Sequence, residues 1–170
     1  MTKEKIELFI RTAFNWHGRC EDYTEEQVVD FYENMNLLDD RGVREILPLL
    51  MICELHNYGI KNAFRDMLIY FLDGAYLKRN ANGGWWCNED AHRNGIEFSK
   101  AMFCDFTDEQ KKAVAKWLLC YARESFRPMC TDDVESACMF WESGCNPDQF
   151  DFPGFRRYAQ HGVGYGLVPL

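Results

Sequence analysis

Residues 46–53 read Ile-Leu-Pro-Leu-Leu-Met-Ile-Cys, the longest uninterrupted apolar run in the chain. A helix formed from this run is apolar on every face, which is typical of a helix at the centre of a domain. Pro48 fits best in the first turn of that helix, and Gly59 is placed to end it. Because the run has eight residues and a membrane span needs about 20, we expect no membrane-spanning helix.

Helical spacing continues on both sides of this run. After it, apolar residues recur at i, i+3, i+4 and i+7 for about four turns. These residues are Ile60, Ala63, Phe64, Met67, Leu68, Phe71, Leu72 and Ala75. Before it, residues 3–17 have the same spacing and predict an amphipathic helix that ends at Gly18.

Two Thr-x-x-Gln sequences predict the starts of further helices. Thr24 with Gln27, and Thr107 with Gln110, have the spacing of a capping box, in which the two residues bond each other's main-chain N–H groups. The first predicted helix buries Val28, Phe31, Tyr32 and Met35. The second places on one face Val114, Trp117, Leu118, Tyr121 and Ala122.

A last helix is predicted over residues 132–143, and Gly144 is placed to end it. Its apolar stripe consists of Val134, Ala137, Cys138 and Trp141. No segment has the sustained alternation of a strand. The sequence therefore predicts an all-α fold, with one compact domain of about six helices over residues 1–145, a long aromatic loop, and an irregular C-terminal tail over residues 146–170 that packs on the same domain.

The predicted loop, residues 79–95, reads RNANGGWWCNEDAHRNG. A loop of this length inside a compact domain is uncommon and often functional. Neighbouring side chains of an extended segment point opposite ways, so either one tryptophan anchors the loop and the other faces solvent, or both rings cover helices from above. An exposed tryptophan with a polar rim is typical of a protein interface. The partner-binding residues predicted here are Trp85, Trp86, Asn88, Glu89, Asp90 and Arg93.

Two acidic segments dominate the net charge of −8. Residues 20–45 hold nine acids and two bases, and residues 130–151 hold six acids and no base. Such a surface repels the phosphates of nucleic acids and steers a basic partner towards itself; the alternative is a solvated face that maintains solubility. In the first segment we predict partner-binding roles for Glu25, Glu26, Asp39 and Asp40.

The eight cysteines occur without an export signal, which predicts reduced thiols in a cytoplasmic protein, most of them in the core. His17, Cys20, Cys87 and His92 are residue types that zinc accepts, but the chain lacks the Cys-x-x-Cys hairpin typical of structural zinc sites. Glu89 and Asp90 disfavour a reactive thiolate at Cys87, as like charges do. We therefore predict no metal, no cofactor and no catalytic residue.

Adjacent carboxylates occur at Asp39-Asp40, Glu89-Asp90 and Asp132-Asp133. Acid/base catalysis uses such pairs when they are buried in a cleft. Their positions in turns and at helix starts favour another interpretation, in which they cap helices and oppose the helix dipole.

Residues 103–121, followed by Asp133 to Trp141, resemble a family of small bacterial helical proteins with no assigned function. The shared pattern is an aromatic residue, a Thr-x-x-Gln box, an aliphatic helix and a short helix that closes on a tryptophan. The chain is also similar in general character to bacterial immunity proteins, which are small, acidic and rich in buried aromatics and cysteines. This likeness implies binding and occlusion of a toxin.

The function we expect is therefore that of a cytoplasmic protein-binding protein, an inhibitor or immunity protein that neutralises a basic toxin domain. Two alternatives stay open at this point. One is a small hydrolase or transferase that uses Cys87, His92 and nearby carboxylates. The other is a structural module that self-associates.

Overall fold

The computed structural model describes residues 1–58, 68–69, 71–72, 89–124 and 131–146, with a few of the helical residues described by their main chain only. The α-helices within these ranges are α1 (Lys3–Phe14), α2 (Glu25–Asn34), α3 (Asp40–His56), α4 (Glu89–Phe103), α5 (Asp108–Glu124) and α6 (Thr131–Glu142). Two short 3-10 helices lie at Cys20–Asp22 and Met35–Leu37. No strand occurs in the described ranges, and the predicted all-α class is confirmed.

The apolar run lies in α3 at the centre of the fold, as predicted. Every residue from Leu47 to Leu55 is buried, and α3 contacts α1, α2 and α4. The predicted start of this helix is wrong, because α3 begins at Asp40 and Pro48 lies in its interior. The side chain of Asp39 accepts a 2.7 Å hydrogen bond from the N–H of Gly42, and this N-cap starts the helix before the apolar run.

The ends of α1 and α3 also differ from the predicted glycines. Asn15 and Asn57 follow the two helices with φ of 49° and 54°, the left-handed conformation that asparagine adopts more readily than most residues. The N–H of Asn15 bonds the carbonyl of Thr12 at 3.3 Å. The first helix therefore ends at Phe14 rather than continuing to residue 17, and the third ends before Gly59.

Both predicted capping boxes are confirmed. The Thr24 N–H donates to the side chain of Gln27 at 2.9 Å, and the Gln27 N–H donates to the Thr24 hydroxyl at 3.2 Å. Thr107 and Gln110 make the same two bonds at 3.0 and 3.2 Å. These local bonds satisfy N–H groups that have no partner inside the helix.

The prediction of an irregular segment up to Gly95 is wrong, because α4 begins at Glu89. The buried positions of this helix include Gly95 and Ser99 as well as Phe103. Glycine and serine occupy two buried positions where an apolar side chain is expected. The sequence of α4 therefore lacks the regular spacing of apolar residues that predicts a helix.

Aromatic residues join α4 and α6 to the rest of the core. The Phe103 ring makes edge contacts with the rings of Phe71, Phe140 and Trp141 at centroid distances of 5.5, 6.1 and 5.1 Å. The indole N–H of Trp141 donates to the carbonyl of Leu72 at 3.0 Å. These contacts fix α6 on the helical core.

The last predicted helix is confirmed within one residue at each end. Its buried residues include Val134, Ala137, Cys138 and Trp141. Gly144 follows it with φ of 83°, a conformation that favours glycine, and the N–H of Cys145 returns to the carbonyl of Phe140 at 3.1 Å. The helix ends at Glu142, and Gly144 is the left-handed residue predicted to end it.

Two predictions lie mainly outside the described residues. Of the helix predicted over residues 60–75, Leu68, Ile69 and Leu72 are helical and buried, and Phe71 is helical and half-buried. Of the predicted tail, only Asn146 is described. Within the described ranges, no helix has both the length and the apolar character that crossing a membrane requires.

Candidate partner-binding surface

The acids of α2 form one exposed surface. We call Glu25, Glu26, Asp30 and Glu33 the acidic face, since all four side chains are exposed. Glu26, Asp30 and Glu33 are four and three residues apart and so lie along one side of the helix, and Glu25 is its first residue. Among the described residues, none of the four forms an ion pair with a basic side chain. The acidic face therefore carries negative charge that the described part of the chain does not neutralise.

The opposite side of α2 is fixed to the core. Val28 and Tyr32 are buried, and the Tyr32 hydroxyl lies 3.3 Å from the carbonyl of Leu50 and 3.4 Å from a carboxylate oxygen of Glu54. The ring of Phe31 meets that of Tyr23 edge-on at 5.9 Å. The Tyr32 contacts hold α2 against α3, and the ring contact joins α2 to the segment before it, so the acidic face has a defined orientation.

Leu37 lies just beyond the acidic face and was not identified from the sequence. It belongs to the 3-10 helix that follows α2, and 77% of its surface is exposed. An exposed leucine beside carboxylates combines an apolar contact with a charged rim, as protein interfaces do. The sequence does not single it out, because Met35 and Leu38 are apolar too, and only the fold shows that Leu37 is the exposed one while Met35 is buried.

The carboxylates of Asp39 and Asp40 have local partners. Asp39 caps α3. The carboxylate of Asp40 forms a 2.5 Å ion pair with the guanidinium of Arg44, one turn further along the helix. Their interpretation as helix-start residues is confirmed. Asp39 is exposed and Asp40 half-buried, and their predicted role in partner binding stays a prediction.

The other predicted binding residues belong to the segment before α4 and its first turns. Trp85, Trp86 and Asn88 lie outside the described residues, and Glu89 is described by its main chain only. Asp90 and Arg93 are described in full. They form a 3.3 Å ion pair with each other, and 83% of the Asp90 side chain and 71% of the Arg93 side chain are exposed. No hydrogen bond or ion pair between described residues joins this pair to the acidic face.

The residues considered for zinc are only partly described. His17 is exposed and its Nε2 lies 3.1 Å from the side-chain oxygen of Asn15, whereas Cys20 is buried. Cys87 and the side chain of His92 lie outside the described part. Within the described residues, no group of three metal-binding side chains occurs.

Cysteines of the described ranges are mainly core residues, as predicted. Five are buried and one, Cys104, is exposed. The thiol of Cys20 bonds that of Cys53, which lowers the pKa of Cys20 and raises the pKa of Cys53. Burial raises the pKa of the Cys138 thiol to about 12. The Cys53 and Cys138 thiols therefore stay protonated and inert at neutral pH.

An open groove of about 400 Å³ lies between the end of α1, the first half of α3 and the start of α5. Its lining residues are Phe14, Asn15, Trp16, Arg41, Arg44, Glu45, Pro48 and Gln110. The Arg41 guanidinium is already paired with Glu45 at 3.0 Å, and the Arg44 guanidinium with Asp40. The groove therefore presents neutralised charges, in contrast to the acidic face.

Comparisons of the chain with protein-family models, curated proteins and solved structures find no match. The fold and the surface therefore carry the functional argument by themselves.

Proposed function

We propose that this chain is a protein-binding protein that inhibits a partner with a basic surface, and that the partner docks on the acidic face of α2. The observation that carries the proposal is the set of exposed carboxylates on α2 that lack counter-ions in the described part of the chain. A carboxylate row of this kind attracts lysine and arginine side chains during encounter.

Two further features support a protein as the partner. The acidic face belongs to a helix whose other side is anchored by Tyr32, so little ordering is needed when a partner binds. Leu37 offers an apolar contact beside the charges. Charge would govern the rate of encounter, and the apolar contact would contribute to the lifetime of the complex.

More specifically, we propose that the protein is a cytoplasmic immunity protein and that its partner is a basic toxin domain. This proposal is supported by the likeness to immunity proteins in size, acidity and buried aromatic residues, together with the acidic face. The enzyme alternative depends on Cys87 and the side chain of His92, both outside the described residues, and it stays an alternative prediction.

Co-expression tests the proposal. The full chain is expressed with each protein encoded by neighbouring genes, and both stable complex formation and loss of the partner's toxicity are measured. We expect one basic product to co-purify and to lose its toxicity. If a toxic neighbour keeps its full activity in the presence of excess chain, and no basic neighbour binds, the proposal is wrong.

A further inference from the structure

Two cysteines far apart in the sequence meet at the ends of two helices. Cys104 directly follows α4, and Cys145 lies three residues after α6. The Cys104 thiol lies 3.5 Å from the carbonyl oxygen of Cys145, in hydrogen-bond contact across 41 positions of sequence. The sulfur of one cysteine therefore lies against the residue that carries the other.

The two thiols differ in their access to solvent. Cys104 is exposed, whereas Cys145 is completely buried. An exposed thiol can meet a small oxidant, and a buried neighbour can then resolve the oxidised sulfur by forming a disulfide. The arrangement has one residue suited to each of these two roles.

A cation lies beside both residues. The ammonium group of Lys111 donates a 3.1 Å hydrogen bond to the carbonyl of Cys104. Burial raises the pKa of the Cys145 thiol, and the charge of Lys111 opposes that shift. Lys111 therefore lies against the main chain of Cys104 and favours the charged form of the Cys145 thiol.

The main chain at Cys145 is also unusual. Its φ is 58°, a left-handed conformation that residues other than glycine rarely adopt. The bond from its N–H to the carbonyl of Phe140 holds this conformation at the end of α6. Backbone strain of this kind occurs frequently at functional sites.

We propose that Cys104 and Cys145 form a redox-active thiol pair whose substrate is a peroxide. The Cys104 thiol gives its proton to water, and the thiolate attacks the peroxide and takes its terminal OH group as the O–O bond breaks. The leaving alkoxide, or hydroxide in the case of hydrogen peroxide, takes up a proton from water, so the products are a Cys104 sulfenic acid and an alcohol or water. The Cys145 sulfur then attacks the sulfenic sulfur, and water leaves with the proton of the Cys145 thiol. Two electrons pass from the thiols to the peroxide, and the new S–S bond joins the ends of α4 and α6.

Peptide mapping of the full chain tests the pair. The reduced protein is treated with hydrogen peroxide, remaining thiols are alkylated, and the chain is cleaved after glutamate. This cleavage gives residues 98–109 and 143–170, each with one cysteine of the pair. We expect these two peptides to be linked, with the loss of two hydrogens, and to separate on reduction.

The variant Cys104→Ser changes an exposed side chain and so leaves the core intact. After the same treatment, Cys145 in this variant should remain fully alkylatable once the protein is unfolded. The pair is refuted if the wild-type peptides stay unlinked while Cys104 is oxidised to sulfinic acid, or if Cys145 is oxidised equally in the variant.

Lys111 and its neighbour Lys112 offer a matched comparison. Lys112 pairs instead with Glu109 at 2.8 Å. We expect Lys111→Gln to slow disulfide formation several-fold and Lys112→Gln to leave its rate unchanged. Equal rates of disulfide formation in the two variants would show that Lys111 has no part in the reaction.

Discussion

The indole N–H of Trp117 on α5 donates a 2.9 Å hydrogen bond to the main-chain carbonyl of Met51 on α3. Both residues are completely buried. Because α1 packs against both of these helices, the bond links two of the three helices that pack together at the centre of the fold. It also satisfies a polar N–H that burial would otherwise leave without a partner.

Replacing Trp117 by phenylalanine should lower the free energy of unfolding by about 1–3 kcal/mol, because the bond is lost and a cavity remains. Urea denaturation followed by circular dichroism measures the change. Trp16→Phe is the control, since Trp16 is half-buried and its ring contacts the guanidinium of Arg11 at 4.7 Å. Equal losses in the two variants would contradict the role of the Met51 bond.

The Glu7 carboxylate predicts a pH-dependent contribution to stability. It accepts bonds from His56 at 2.6 Å and from Arg11 at 2.7 Å. Burial raises the pKa of Glu7, but the hydrogen bonds from His56 and Arg11 outweigh it, so the pKa lies below its ordinary value of 4.5. The stabilisation is therefore present above that value and is lost as the pH falls through the lower, folded-state pKa.

Glu7→Gln should destabilise the protein by about 1 kcal/mol at neutral pH, and the difference from wild type should shrink as the solution is acidified below 4.5. Thermal denaturation at a series of pH values measures it. Glu97→Gln, at an exposed position on α4, should show no such dependence. A Glu7→Gln difference that is constant from neutral to acidic pH would refute the ion-pair explanation.

The two capping boxes should contribute equally to the free energy of unfolding, because they make the same bonds at the starts of two helices. Thr24→Ala and Thr107→Ala should each lower stability by about 1 kcal/mol, because each removes the hydroxyl that accepts a helix N–H. Thr12→Ala is the matched control: its exposed hydroxyl bonds the carbonyl of Leu8 inside α1 and caps nothing. Chemical denaturation measures the stability of each variant. If all three variants are equally stable, the boxes contribute nothing to the stability of the fold.

Features set by neighbouring residues could be predicted from the sequence. The capping boxes at Thr24 and Thr107 and the left-handed Gly144 depend on a few adjacent residues, and all three are confirmed. The position of Pro48 was predicted wrongly because the Asp39 cap starts α3 before the apolar run. The start of α4 was missed because Gly95 and Ser99 occupy buried positions and conceal its period.

Features set by tertiary contact could not be predicted in this way. The charge count of residues 20–45 located the acidic segment. Only the fold separates Asp40, which pairs with Arg44, from Glu25 and Glu26, which have no ion-pair partner among the described residues. The contact between Cys104 and Cys145 spans 41 positions. Nothing in the spacing of either cysteine indicates it, because packing of α4 and α6 brings the two together.

The most direct test of the proposed function is the affinity of the basic partner for a variant that has lost three of the four negative charges of the acidic face. Titration calorimetry compares wild type with the triple variant Glu25→Gln, Glu26→Gln and Glu33→Gln. The control is a triple variant with the same change in net charge on other helices, at Glu4, Glu97 and Glu142, which are also exposed. We predict about tenfold weaker binding and a smaller salt dependence for the α2 variant only, whereas equal affinities for the two triple variants would contradict docking on the acidic face.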